Sequence, residues 1–490
     1  MKDFRINILF LSISVIIYLI SDSFITNDQK YVILLTSLLV YTISSIIAIY
    51  KRTEILLDPL ILSLIINQLV FLGGFTSFLI IENGIFQPGR SASLIPWNSQ
   101  YLAKTGMLIN IGTICVTYGY YSKLGTKFSN FNTKYLIKSR ISKIHLSKKM
   151  LIIIAIVGVL IKLYLMKNGL FGRLLNPDYT TYGESASYLA SQLAPLNRLS
   201  LISFTFVFFR YLKKDKGYTI LFLFLVSIEL FFAFIEGSRR PILELYVLIF
   251  LIYYYVNQRI KISLFLSGFI VLYIAFTLIL EFKTFVLDNQ ISSTDPISLI
   301  QKFSNYRELN KNELNETVYE NVEKNIYYRI NLITQATSAI RHADLNKLDD
   351  KDPDFFLTLL LVPIDVVIPK SIQGTTTVNW GDWFRYAVLN RGYYYTTYSI
   401  PFSPVGYLYF LGGTLGVIVG FFIYGIMLKS ISNLPQISFI GFLLFLLLLT
   451  CIGMFETAIP QSLVRYARYM FVLPFFYKFT TELLRKKQTI

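Results

Sequence analysis

The chain has 490 residues, 54% of them hydrophobic, with a mean hydropathy of +0.54 and a formal charge of +17. Apolar runs that repeatedly reach the roughly 20 residues needed to cross a bilayer exclude a soluble globule. The lysines and arginines are spread over many short loops with no basic nucleic-acid module, which excludes a nucleic-acid partner, and Cys115 and Cys451, both inside apolar runs, exclude a disulfide framework or a cysteine metal site.

The first apolar run, Ile6 to Ile20, follows basic residues as a signal peptide would, but no small-x-small cleavage site of the usual kind follows Ile20 and Ser21-Asp22-Ser23 leads on to a second apolar span, so the run reads as a retained helix. Further spans are expected at Tyr31 to Tyr50, Leu60 to Ile81, Tyr101 to Tyr121, Met150 to Met166 and Leu199 to Leu212. Others follow at Tyr218 to Ile235, Pro241 to Val256, Ile262 to Leu280, Pro404 to Leu428, Ile437 to Phe455 and Leu463 to Phe479. The predicted fold is therefore all-α, a polytopic membrane protein of about 12 transmembrane helices. It divides into nine helices over residues 1–281, a long outward loop over 282–403, and three helices with a tail over 404–490.

Lys and Arg mark the cytoplasmic side of short loops. Lys51-Arg52, Lys213-Lys214, Lys216, Arg259, Lys261 and Arg485-Lys486-Lys487 all fall on one side if both termini are cytoplasmic. The loop from Ser122 to Lys149 joins them, with eight Lys and Arg residues and no acidic one, and it reads as a solvated face against anionic lipid. His145, alone in that loop, is assigned no chemistry.

Three segments then face outward: residues 167–198, the turn 236–240, and the long loop. The loop exceeds ordinary connection lengths, which marks it as functional or disordered, and its composition argues for folding. Val322, Ile326, Ile330, Ile333 and Ile340 recur at helical spacing, and the apolar stretch Phe355 to Ile368, broken by Pro363 and Asp365, is expected to be interfacial or re-entrant.

An unusual number of arginines is expected outside the membrane. Arg239 and Arg240 stand at the junction of two spans, and Arg173, Arg329, Arg385 and Arg391 fall on the same side, with Arg465 and Arg468 on one face of the last helix near it. Topology rules give no reason for such a collection, whereas an anionic ligand does, and the guanidinium fork suits diphosphate oxygens. The plainer alternative for Arg240 is an ion pair with Glu244 one turn along. Near the end of the loop, Asn379, Trp380, Asp382, Trp383, Arg385, Tyr393 and Tyr394 combine ring faces, an amide, a carboxylate and a guanidinium, a mixture suited to a sugar. The candidate diphosphate contacts are thus Arg173, Arg239, Arg240, Arg329, Arg391, Arg465 and Arg468, and the candidate sugar contacts Asn379, Trp380, Trp383, Arg385, Tyr393 and Tyr394. Glu236, Asp382 and His342 are the candidate catalytic bases, with Glu184 a further outward carboxylate. Asp352-Pro353-Asp354 reads as a solvated helix start, and no nucleotide-hydrolase or zinc-protease motif occurs, so neither a metal nor a cofactor is expected. Asn67, Gln68 and Glu229 inside spans are read as helix-to-helix hydrogen-bonding groups or pathway lining.

In this order of features the chain resembles the bacterial O-antigen polymerases of the Wzy type, the oligosaccharide repeat-unit polymerases. The resemblance is sharpest at Lys167-Asn168-Gly169-Leu170 to Arg173, Gly237-Ser238-Arg239-Arg240, Ile368-Pro369-Lys370 and from Tyr393 through Pro404 to Gly412-Gly413. It implies a metal-independent glycosyltransferase of the inner membrane, working at the outer leaflet on undecaprenyl-diphosphate-linked oligosaccharide, with membrane lipid and a chain-length regulator protein as further partners. Two features depart from the family. Arg173 and Gly183 stand one residue closer than the Arg-to-Gly spacing of some members, and the His that related O-antigen ligases carry in the late loop has no counterpart from Arg391 to Gly406. Two rival readings stay open, a ligase differing only in its acceptor and a lipid-linked oligosaccharide flippase whose charges would line a cavity reaching both faces.

Overall fold

The computed structural model describes residues 2–21, 24–51, 57–65, 99–138, 146–167, 196, 198–236, 239–259, 262–288, 296–309, 332–345, 354–367, 383, 403–453, 459–467 and 469–470. Among these residues the regular structure is helical. In chain order the helices are α1 (Lys2–Ile20), α2 (Asn27–Lys51), α3 (Ser99–Tyr121), α4 (Lys123–Lys138), α5 (Lys148–Lys167), α6 (Leu199–Leu212), α7 (Thr219–Glu236), α8 (Arg239–Asn257) and α9 (Ile262–Asp288). They continue as α10 (Pro296–Leu309), α11 (Leu332–Leu345), α12 (Phe355–Leu360), α13 (Val362–Val367), α14 (Pro404–Ile431), α15 (Leu434–Ile437), α16 (Phe439–Gly453) and α17 (Ile459–Ala467). Residues 59–65 form a further helical piece.

Three stretches are long and apolar enough to cross a bilayer: Asn27–Ile47, Lys148–Met166 and Pro404–Ile437. Six shorter apolar helices accompany them, in α1, α6, α7, α8, α9 and α16. The chain is therefore a helical protein built for a membrane. Of the expected spans, Leu60 to Ile81 beyond residue 65 and Leu463 to Phe479 beyond residue 470 lie outside the described residues, as do Asn67 and Gln68. Helix α3 is long enough at 23 residues but carries Gln100, Lys104, Asn110 and several threonines, and most of it is buried among its neighbours. A helix surrounded by protein need not be as apolar as one bathed in lipid. Lipid-type faces occur elsewhere, as exposed stripes Leu9, Ile13, Ile16 and Ile20 on α1, Ile153, Ile156, Leu160 and Leu163 on α5, and Leu415, Val419 and Ile423 on α14.

The chain packs as two compact units, one made of 1–144 with 327–490 and the other of 145–326. In the first, α1 and α2 run in opposite directions, joined by Asn7 Nδ2 to Ser44 Oγ at one end and Ser37 Oγ to Ser14 Oγ further along. Helices α2 and α3 run in the same direction, since Leu34 meets Gly106 and Tyr41 meets Thr117. A polar knot pins all three: Asn110 Nδ2 donates to Ser14 Oγ (3.1 Å), Ser37 Oγ (2.9 Å) and the Leu34 carbonyl (3.1 Å), all buried. Where lipid offers no competing partner, such side-chain bonds fix helix register.

Helices α3 and α14 also run in the same direction and touch backbone to backbone. A Cβ on Gly119 would strike the Phe422 carbonyl, and one on Gly425 would strike the Val116 carbonyl. Only glycine permits that approach. The expected span Pro404 to Leu428 is not one straight rod. Gly412 and Gly413 have non-helical backbones, Gly413 at φ +58°, a value that favours glycine. Leu408 lies against Gly416 and Gly420, eight and twelve residues on. In a straight helix those separations would be about 12 and 18 Å, so the first two turns of α14 fold back on the rest.

The start of the helical piece at 59–65 lies beside the far ends of α3 and α14. Asp58 accepts from the Leu60 N–H at 2.9 Å, and burial pushes its carboxyl above the usual carboxylate range, opposed by that N–H, the Tyr120 hydroxyl and Lys429.

In the second unit the same alternation holds. Gly158 of α5 abuts Ser200 of α6 while the Ser203 hydroxyl donates to the Leu151 carbonyl, so the two helices are antiparallel. Helix α6 stacks Phe204, Phe208 and Tyr211 on Phe222 of α7. Helices α6 and α8 run in the same direction, paired at one end by Arg198 with Glu244 and at the other by Phe209 with Tyr255. The first part of the long loop is folded here: α10 packs on the end of α9, with Phe303 buried against Phe282 (5.3 Å) and Phe285 (5.5 Å). Helix α11, from the middle of the loop, packs into the first unit through buried Ile333, Ala336, Ala339 and Ile340. Val322, Ile326 and Ile330 of the same expected periodicity lie outside the described residues.

Candidate functional site

In the first unit, the end of α3 that begins at Ser99 meets α11 and the folded-back start of α14. Lys104 Nζ donates to Asp344 Oδ2 at 2.5 Å, and the Tyr409 hydroxyl donates to Asp344 Oδ1 at 2.7 Å. The Lys104 ammonium also lies 4.9 Å from the centre of the Tyr409 ring. One carboxylate thus holds three helices together, and Lys104 and Asp344 keep a quarter of their side-chain surface open. Next to Tyr409 in sequence, Phe410 receives His342 at 6.1 Å and Trp383 edge-on at 5.4 Å. Tyr407 reaches Thr358 on α12 at 3.3 Å. Helix α12 begins at Asp354, whose carboxylate caps the N–H groups of Phe356 (2.9 Å) and Leu357 (2.8 Å). That is the helix start expected of the Asp-Pro-Asp sequence. The apolar stretch breaks at Leu361 into two short helices, α12 and α13, with Pro363 in the first turn of the second, where a proline is tolerated.

Two of the expected site residues, His342 and Trp383, are therefore brought to one aromatic anchor, Phe410. Asn379, Trp380, Asp382, Arg385, Arg391, Tyr393 and Tyr394 lie outside the described residues, as do Arg173, Glu184, Arg329 and Arg468. Arg465 occupies a helical position in α17, and Glu236, Arg239 and Arg240 occupy helical positions at the end of α7 and the start of α8; their side chains lie outside the described set. Arg173, Glu236, Arg239 and Arg240 belong to the second unit, and His342, Asp382, Arg329, Arg391, Arg465 and Arg468 to the first.

The second unit adds residues the sequence did not single out. Glu244, the expected partner of Arg240, accepts from Arg198 Nη1 at 2.8 Å and Nη2 at 3.4 Å. Arg198 therefore stands one turn from Arg240 along α8, a further guanidinium at the end where the pair begins. Lys162 of α5 donates to both carboxylate oxygens of Glu229 on α7, at 2.9 and 2.8 Å, with the Phe232 ring 5.1 Å from the ammonium. Both side chains are buried. Glu229 is thus bound helix to helix. Its partner could have been found in the sequence as the one charge within the apolar run of α5, but spacing alone cannot pair residues 67 apart. Lys104 and Asp344, likewise, are separated by 240 residues. Among the described residues no group of three or more His, Cys, Asp and Glu stands together as a metal site would.

Compared with family models, with curated proteins and with solved structures, the chain matches none.

Proposed function

We propose that the chain is a membrane-embedded glycosyltransferase that joins undecaprenyl-diphosphate-linked oligosaccharide repeat units into a surface polysaccharide. The observation that carries this reading is the polar and aromatic cluster at the Ser99 end of α3, which places His342 and Trp383 on Phe410 beside a Lys104-Asp344-Tyr409 tie. It stands at the opposite end of α3 from the basic helix α4, about 25 Å away along the helix. With the basic end cytoplasmic, the cluster sits at the outer leaflet, where a lipid-linked glycan presents its sugar. Trp383 and its neighbours in sequence are the proposed sugar contacts, through ring faces and amides, and His342 is the proposed base for the acceptor proton.

The donor carries a diphosphate as leaving group, so fixed positive charge must meet the negative charge that develops as the glycosidic bond breaks. Arg239 and Arg240 fill that role in the proposal, with Arg198 and Glu244 holding the neighbouring turn. Electrons of the acceptor hydroxyl form the new bond to the anomeric carbon, the old bond's pair leaves on the diphosphate, and the hydroxyl proton passes to the base. The flippase reading would rest on the buried Lys162-Glu229 pair, but both carboxylate oxygens are satisfied by one ammonium and the pair is closed on itself.

The test is an assay with purified protein, lipid-linked repeat units and the acceptor concentration varied. Trp383→Ala is expected to weaken use of the acceptor more than binding of the lipid diphosphate, and Arg391→Ala to affect the diphosphate first. Unchanged acceptor affinity and rate in Trp383→Ala would remove the stretch from the site.

A further inference from the structure

Helix α4 presents four distinct stripes along its 16 residues. Gly125, Ser129, Asn132 and Leu136 are buried. Gly125 lies against Lys429 of α14, and the Asn132 amide donates to the Ser430 carbonyl at 3.3 Å. That stripe fixes the helix to the bundle. The next stripe round the cylinder is Leu124, Phe128 and Phe131, exposed by 51, 53 and 56%, with half-buried Tyr135 stacked on Phe131 at 6.4 Å. Beyond it run the exposed Lys123, Lys127 and Lys134, with Lys138 at the next position of the same register. The remaining face carries Thr126, Asn130, Thr133 and Ile137. At 100° per residue these four stripes are centred about a quarter-turn apart, in the order bundle, aromatic, lysine, polar.

Three large apolar side chains exposed side by side on a basic helix have no use in water. Their position between the bundle-facing stripe and the lysine stripe is the arrangement of a helix lying in a membrane surface, rings at the acyl boundary and ammonium groups at the phosphates. Continuity supports it, because α4 follows α3 after Ser122 and packs on α14, a helix long and apolar enough to cross the bilayer. Charge supports it too, as residues 122–149 contain no acidic side chain.

We infer that α4 is an interfacial anchor that binds the anionic phospholipid headgroups of the leaflet where α3 and α14 end. The surface is separate from the glycan cluster at the other end of α3, and the inference does not depend on the proposed transfer reaction.

The experiment uses the full-length chain with Cys115 and Cys451 replaced by Ala, single nitroxides at positions 128, 130 and 131, and reconstitution into phosphatidylcholine vesicles with or without phosphatidylglycerol. Oxygen and a water-soluble nickel chelate report lipid and water access. With phosphatidylglycerol, labels at 128 and 131 are expected to show an oxygen-to-chelate ratio several-fold above that at 130. Replacing Lys123, Lys127 and Lys134 by Gln, or omitting phosphatidylglycerol, should lower that ratio several-fold. A chelate-accessible label at both 128 and 131 would overturn the inference, and so would labels closed to both reagents, which would mean that protein covers the face. A ratio indifferent to the lysines and to phosphatidylglycerol would refute the choice of anionic lipid.

Discussion

At the scale of single residues, one buried ion pair and one pair of arginines carry opposite expectations. Lys162 and Glu229 are buried and satisfy each other. Removing either partner leaves an uncompensated buried charge, so Lys162→Ala and Glu229→Ala are each expected to destabilise the protein by about 3–5 kcal/mol, whereas Lys162→Met with Glu229→Leu should recover most of the loss. Equilibrium unfolding in detergent would read this, and a double variant no more stable than the singles would show that the pair does more than join α5 to α7. Arg239 and Arg240 are expected to behave in the opposite way. Each changed to Ala should lower transfer on the order of 10² to 10³ while protein abundance holds, because the lost contact serves a departing diphosphate. A fall in abundance alone would make them structural. Compositional and positional signals made Arg239, Arg240, Trp383 and His342 visible in the sequence. Lys104, Asp344 and Arg198 escaped because their meaning lies in pairs that only tertiary packing brings together.

Among the helices, what was legible follows from one-dimensional physics and what was missed follows from packing. Apolar runs and basic loops show where α1, α2 and α5 to α9 lie, and Pro363 foretells the break between α12 and α13. Gly412-Gly413 does not by itself foretell the fold-back in α14, because a glycine pair inside an apolar run serves equally for close helix packing and for a break. The two glycines now give a controlled comparison. An added Cβ meets nothing within 4 Å at either, but only Gly413 has a positive φ, +58°. Gly413→Ala should therefore cost about 1–2 kcal/mol from the backbone alone and Gly412→Ala much less. Gly425→Val is expected to cost more than either, as its side chain would meet the Val116 carbonyl, which has no rotamer to yield. Thermal unfolding of the three variants in one detergent checks the order, and a Gly412→Ala loss equal to that of Gly413→Ala would refute the assignment.

For the molecule as a whole, the alternation of helix direction within each unit agrees with consecutive spans, and α3 and α14 run in the same direction, as they would in the proposed topology with both descending from the outside. Labelling of single cysteines at Lys134 and Asn379 should therefore show opposite sidedness, and labelling of both from outside would refute the topology. The polymerase assignment makes a demand of its own, which holds whatever the sugar is. A cell lacking this chain would still assemble and export single repeat units but could not join them. The direct measurement is mass spectrometry of lipid-linked oligosaccharides and surface glycan from the native host with the coding sequence deleted, alongside the complemented strain. Undecaprenyl-diphosphate carrying one repeat unit is expected to accumulate while longer glycans vanish, and the ladder is expected to return with the intact chain but not with Arg239→Ala. An unchanged ladder of glycan lengths in the deletion strain would contradict the polymerase assignment.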